Sequence, residues 1–239
     1  QILPDLVFGC LHQAISGEVP AEGTSCLWNL YAFGGLGRVD AAPEVLSEAT
    51  PFTVLSFHSG GTGARPGKDG LSATAFPSGV RNVPVEVTET ISPIIIWKKE
   101  FRQDSGGAGL YRGGLGQTME LGLLENVPFS FSALFDRIKY PPRGRDGGKD
   151  GAKGKISLKS GKKLKGKGTQ TIPAGDRVVI DMPGGGGLGP AKSRPIEEVK
   201  KDFRAGLISK NSAETLYKVK ITEEGNVEAT ETDKVRKYK

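Results

Sequence analysis

Glycine sets the strongest limit on what this chain can fold into. Thirty-five of its 239 residues are glycine, about twice the usual ~7%. Many gather in three runs, at 59–70, 104–116 and 184–189. Such runs neither propagate a helix nor supply side chains to a core. They read as loops between short strands, or as places where backbone must come close to something else. Apolar residues other than glycine are about 34% of the chain, below the usual ~40%, so the core is thin for this length.

Between the glycine runs the periodicity is mainly that of strands. Residues 26–37 read as a buried strand leaving into a glycine turn, and 51–58 alternate apolar and polar. Val83, Val85 and Val87 alternate with Pro84, Glu86 and Thr88, a half-buried strand with Pro84 at an edge. Residues 94–97 form a short apolar strand, 119–124 and 128–134 read as strands of a meander, and Ile156-Ser157-Leu158 suggests a hairpin in a lysine–glycine stretch. Residues 169–181 predict a hairpin turning at Pro173-Ala174-Gly175-Asp176.

Helical spacing is confined to the ends. Residues 5–15 predict a short amphipathic helix with Asp5 as its cap. From Pro195, the positions of Ile196, Val199 and Phe203 predict a helix closed by Gly206, and Ser209 caps a second one reaching Tyr217. Residues 222–239 are polar and without period. The expected fold is therefore α+β: a β-rich mixed sheet or barrel-like body over 1–190, a helical end segment over 191–221 and a flexible polar tail over 222–239.

Charge is unevenly placed. The net charge of +6 hides ten net positive charges between residues 137 and 167, which leaves the rest of the chain at −4. The basic stretch has one aromatic residue, Tyr140, so it lacks the stacking platform of single-strand nucleic-acid binders and reads as solvated loop. No apolar run approaches the roughly 18 residues of a membrane span. Residues 1–15 contain Pro4 and Asp5 and no basic leader, unlike a secretory signal. Two cysteines, Cys10 and Cys26, point to a reducing, cytoplasmic setting. The chain starts at Gln1, and its methionines are Met119 and Met182; it reads as a processed product or a piece of something longer.

The familiar ligand motifs each fail at a named position. Gly184-x-Gly186-x-x-Gly189 follows a strand, but Pro190 comes next and no helix starts until Pro195, whereas a dinucleotide site needs the helix N-terminus at the pyrophosphate. Gly161-x-x-x-x-Gly166-Lys167 has Gly168 where a P-loop needs Ser or Thr, and Gly67-Lys68 has Thr62 where the first glycine belongs. His12 and His58 are the only histidines, and no zinc spacing includes them. The unusual feature is the density of charge around the glycine turns between His58 and Gly116, where Arg65, Lys68, Asp69, Arg81, Asn82, Glu86, Glu89, Asp104 and Arg112 lie. On chemistry alone this is a ligand-facing loop cluster of unstated reaction.

Three stretches in order carry a resemblance: His58 to Gly70, Phe76 to Glu89 and Asp104 to Gly116. Together they resemble the hydantoinase B/oxoprolinase family, the B subunits of ATP-dependent N-methylhydantoinases and the matching half of 5-oxoprolinases. Ile172 to Asp176, Pro183 to Gly189 and the helix pair from Pro195 fit the C-terminal part of that family, so the resemblance spans roughly residues 1–220. It implies part of a B subunit that completes ring hydrolysis of a hydantoin, N-methylhydantoin or 5-oxoproline after an A-type partner phosphorylates it. ATP and magnesium belong to that A-type partner. Any divalent metal belongs to the N-terminal portion of the B subunit, outside this sequence, and this chain alone is expected to bind none and to be inactive. The alternatives are a B-type subunit of an acetone or acetophenone carboxylase, or a non-catalytic scaffold. The resemblance is densest where charged side chains flank glycine turns. Asp69 and Glu86 are the expected catalytic residues, with His58, Arg65, Arg81 and Asn82 binding substrate. Expected partners are the A-type subunit, the N-terminal portion of the B subunit and a small cyclic amide, with no nucleic acid or membrane. The chain is expected to form oligomers through an exposed apolar surface.

Overall fold

A computed structural model of the chain describes residues 2–25, 27–34, 51–74 and 76–237. Strands β1 (Trp28–Gly34), β2 (Phe52–His58), β5 (Phe129–Leu134) and β7 (Lys167–Ile172) form one antiparallel sheet in the order β2-β1-β5-β7. Strands β3 (Ile94–Phe101), β4 (Gln117–Leu123), β8 (Val178–Asp181) and β6 (Lys155–Leu158) form a second, in the order β3-β4-β8-β6. One core joins them: Trp28, Leu30, Phe131 and Ile172 of the first sheet cluster with Met119, Leu121, Ile156 and Ile180 of the second. The β-rich body thus takes the form of two packed antiparallel sheets. Trp28 anchors the core, stacked on Phe135 with ring centroids 4.2 Å apart.

Several local expectations are corrected. β4 and β5 follow one another in sequence but lie in different sheets, so they are not neighbours in a meander. β7 and β8 likewise part company. The turn at 173–176 is present, with the Asp176 N–H donating to the Pro173 carbonyl at 3.2 Å, but it carries the chain from one sheet to the other. Residues 83–88 are not a strand. Pro84 (ψ 144°) caps helix α2 (Val85–Ile91), and Glu89 turns to accept the Ile96 N–H of β3 at 2.9 Å. Packing on β3 overrides the β-preference of the two valines and Thr88, as tertiary context can.

Helix α1 (Leu3–Leu11) starts two residues before the predicted span, with Pro4 in its first turn. Asp5 is not its cap but its buried residue, while Leu3, Leu6, Val7 and Leu11 stay exposed. After a 3₁₀ turn (Ala191–Ser193), α3 (Ile196–Arg204) begins behind Pro195, and Gly206 closes it at φ 71°. Ser209 caps α4 (Lys210–Thr215) by accepting the Ser212 N–H. Where the sequence predicts a polar stretch without period, Ile221 bridges Val227 and α5 (Ala229–Lys237) follows. Its Thr232 is buried, and Arg236 donates to the carbonyls of Arg194 and Tyr217. These helices share a small core of Val199, Ile208, Ala213, Tyr217, Val219 and Ile221.

The glycine runs are mainly structural. Segments at 21–24, 60–64, 105–116, 143–152 and 183–189 lie side by side and bond backbone to backbone. The central run bonds with a period of three. Gly184 and Gly187 donate to Ala152 and Lys149 of one neighbour, while Pro183 and Gly186 accept from Gly61 and Ala64 of another. Three residues per turn is the repeat of polyproline II, whose bonds all point outward to adjacent chains. A Cβ on Gly61 would stand 1.9 Å from the Gly114 carbonyl oxygen. Glycine is required there for close approach of backbone to backbone.

Candidate active site

The predicted residues divide into two groups with no direct bond between the groups among the described contacts. His58 closes β2 with 3% exposure and meets Ser56 Oγ through Nε2 at 3.0 Å. Its Nδ1 is buried without a partner. Burial, with the Lys99 charge second, lowers its pKa to about 3, so His58 is a neutral imidazole. Gln117 links this corner to Asn82, donating from Nε2 to the Ser59 carbonyl at 2.9 Å and to Asn82 Oδ1 at 3.2 Å. Asn82, Arg81 and Glu86 are exposed.

Arg65 and Asp69 form the second group. Arg65 Nη2 donates to the Asp69 carbonyl at 2.8 Å. The Asp69 carboxylate is engaged on both oxygens: Oδ1 accepts from the Arg112 N–H and Arg194 Nη1, and Oδ2 from Arg194 Nη2, each at 2.7 Å. Arg194 also meets Asp202 at 2.9 Å, and Arg112 Nε meets Asp202 at 3.2 Å. Burial would raise the Asp69 carboxyl, but the Arg194 bonds and charge, with Arg112, hold it below its ordinary value. Asp69 therefore ties the glycine loop to α3.

A cleft of 340 Å³ opens between α1, residues 20–23 and the loop at 62–76. Its wall is largely apolar, from Phe8, Pro20, Leu71 and Phe76, and its charged members are Asp5 and Arg65. Arg65 Nε is buried there without a partner. This volume lies at the lower end of small-molecule sites, roughly 300–1,000 Å³. Of the six site residues expected from sequence, all of them described, only Arg65 lines it.

Asp5 also borders a second depression of 380 Å³, with Glu22, Arg137, Tyr140 and Arg143. Asp5 Oδ2 accepts the Ser25 hydroxyl and, at 2.6 Å, Arg137 Nη2. Arg137 Nη1 donates to Glu22 at 2.9 Å, and Arg143 Nε donates to the other Glu22 oxygen at 2.7 Å. Burial pushes the Asp5 carboxyl up, outweighing the Ser25 bond and the Arg137 charge. Sequence reasoning missed this cluster. Asp5 reads as a helix cap, Arg137 and Arg143 as members of a solvated basic stretch, and nothing local marks Ser25 or Glu22. Among the described residues, no three His, Cys, Asp or Glu side chains gather in a group that could hold a metal.

The model of the hydantoinase B/oxoprolinase family matches residues 1–191, and the chain belongs to that family. An uncharacterized protein of Methanocaldococcus jannaschii is 43% identical over 161 residues, covering 65% of this chain and 28% of that protein. The B subunit of a putative D-/L-hydantoinase from Pseudomonas sp. (strain NS671) is 29% identical over 237 residues, covering 95% of this chain and 38% of that protein. The crystal structure of an ATP-dependent caprolactamase from Pseudomonas jessenii superposes with a TM-score of 0.77 at 26% identity, covering 95% of this chain and 40% of that one. The chain thus spans well under half the length of these relatives. Among the described residues, no helix is long and apolar enough to cross a membrane.

Proposed function

We propose that this chain is part of the B subunit of an ATP-dependent cyclic amidohydrolase and takes part in opening the ring of a substrate phosphorylated by an A-type subunit. The observation that carries this reading is the caprolactamase likeness over 95% of the chain, in a family that also includes a putative hydantoinase B subunit. Caprolactam and hydantoin are both cyclic amides. An amide carbonyl is a poor electrophile, and phosphorylation of its oxygen supplies a leaving group before water attacks. ATP and magnesium are assigned to the A-type partner. A reducing, cytoplasmic setting accords with two cysteines in 239 residues.

Within this reading the apolar cleft holds the ring, and Arg65 offers its unpartnered Nε–H to a substrate oxygen. Asp69 contributes by fixing the loop that carries Arg65. Glu86, exposed on α2, and the neighbouring Arg81 and Asn82 act at the surface that meets the remainder of the enzyme, and His58 supports that corner as a neutral group. The test is co-purification with an A-type subunit, followed by ADP release against hydantoin, N-methylhydantoin, 5-oxoproline and caprolactam. ADP release stimulated by at least one cyclic amide, with ring-opened product, is expected. Release that no cyclic amide stimulates would overturn the reading.

A further inference from the structure

Helix α1 is turned the wrong way for a helix held by apolar packing. It buries an aspartate and leaves four large apolar side chains outside. Asp5 is held by Ser25 (φ 58°) and Arg137 (φ 59°), both non-glycine residues in the left-handed region. Such conformations are costly and cluster where a structure must hold a group in a set position. Both hydrogen bonds converge on Asp5 Oδ2, leaving Oδ1 outside them, and Asp5 lines the cleft that also contains Arg65.

The contrast with Asp69 is informative. Asp69 has both oxygens engaged and a lowered pKa, as befits a carboxylate that ties two elements together. Among the described residues Asp5 has one oxygen engaged, and its pKa is raised, although Arg137 bonds it and the charges of Arg143 and Arg145 lie nearby. Glu22 shares Arg137 and adds repulsion. A raised carboxyl beside a cleft is an arrangement suited to accept and return a proton.

We propose that Asp5 is the proton-transferring carboxylate of the ring-opening reaction, with Ser25 and Arg137 as its positioning residues; this rests on the cyclic amidohydrolase reading. The substrate is a ring whose amide oxygen carries the phosphoryl group and whose carbon is doubly bonded to nitrogen. As water oxygen bonds to that carbon, its proton passes to Asp5 Oδ1, the C=N π pair moves to nitrogen, and Asp5 returns the proton there. In the second transfer Asp5 takes the proton of the new hydroxyl and delivers it to the nitrogen as the C–N bond breaks. An amine and an acyl phosphate result, and a second water releases inorganic phosphate. One ATP and two waters are consumed per ring opened.

The test uses the complete enzyme with its A-type partner and measures ADP and ring-opened product separately. Asp5→Asn is expected to retain amide-stimulated ADP formation while the product-to-ADP ratio falls at least tenfold. Ser25→Ala removes a bond that favours the ionised carboxyl, so the acidic limb of the product pH profile should move to higher pH. A structural loss would not move that limb, and thermal melting identifies unfolded variants. If Asp5→Asn does not fold, the Ser25→Ala profile decides. Wild-type coupling in Asp5→Asn, or an unmoved limb in folded Ser25→Ala, overturns the assignment while leaving the enzyme class intact. Absence of amide-stimulated ADP formation in the wild type overturns the class and this assignment with it.

Discussion

The carbonyl oxygen of Thr62 occupies the space beside Gly185 so closely that a Cβ on Gly185 would lie 1.8 Å from it. Gly185 does not need glycine for a left-handed φ, since its φ is not in that region; it needs the absence of a side chain. The obstacle is backbone and cannot rotate away. Gly185→Ala is expected to cost about 3 kcal/mol or more in urea unfolding, the upper range for overpacking. Gly67→Ala, at φ 76° with nothing within 4 Å, should cost only about 1 kcal/mol from backbone strain. Equal losses would mean that the glycine array can open to admit a methyl group.

Asp202 is the hinge of the link between α3 and the glycine array. It pairs with Arg112 and Arg194, and all three side chains are at most 6% exposed. Asp202→Ala leaves both cations with fewer partners in a buried setting, and breaking such pairs costs about 3–5 kcal/mol. Limited proteolysis should then cut first within residues 196–217, before the sheets. Unchanged resistance there would show that the small apolar core holds these helices without the ion pairs.

His58 predicts a pH dependence of stability. Its pKa is lowered to about 3 in the folded chain by burial, with Lys99 second, against about 6.5 unfolded. The unfolded chain therefore binds the extra proton as pH falls through that window. Stability from His58 is complete above about pH 6.5 and declines by about 1.4 kcal/mol per unit toward pH 3. Relative to His58→Gln, the wild type should lose about 2 kcal/mol between pH 7 and 5. Parallel curves for the two proteins would show that His58 is protonated within the fold.

Asp69 and Glu86 should separate stability from turnover. Alanine at either position in the complete enzyme is expected to lower kcat/KM by more than about tenfold, or about 1.4 kcal/mol. Asp69→Ala should also lower the melting temperature, because Arg194 loses both of its Asp69 bonds. Glu86 is exposed, so its alanine variant should melt like the wild type. Full turnover in both variants would remove these residues from the proposed site.

The sequence by itself determined the elements whose cause is local. Pro195 with the spacing of Ile196, Val199 and Phe203 marks α3, and Ser209 marks the cap of α4. The alternation at 51–58 marks β2. The ordered glycine motifs carry the family resemblance, and several of their glycines, Gly61, Gly114 and Gly185 among them, answer to a backbone contact that a side chain would break. What the local pattern could not supply was partnership. Whether β7 turns back on β8 depends on which sheet has room for each strand. The valine alternation at 83–87 yields to a helix because Glu89 finds the Ile96 N–H on β3. The candidate centre is the clearest case. Asp5, Glu22, Ser25 and Arg137 lie as far as 132 positions apart in sequence, and no periodicity spans that distance. Only the docking of α1 against the glycine array brings them together, and burial there, with the Glu22 charge second, raises the carboxyl that makes Asp5 a candidate for chemistry.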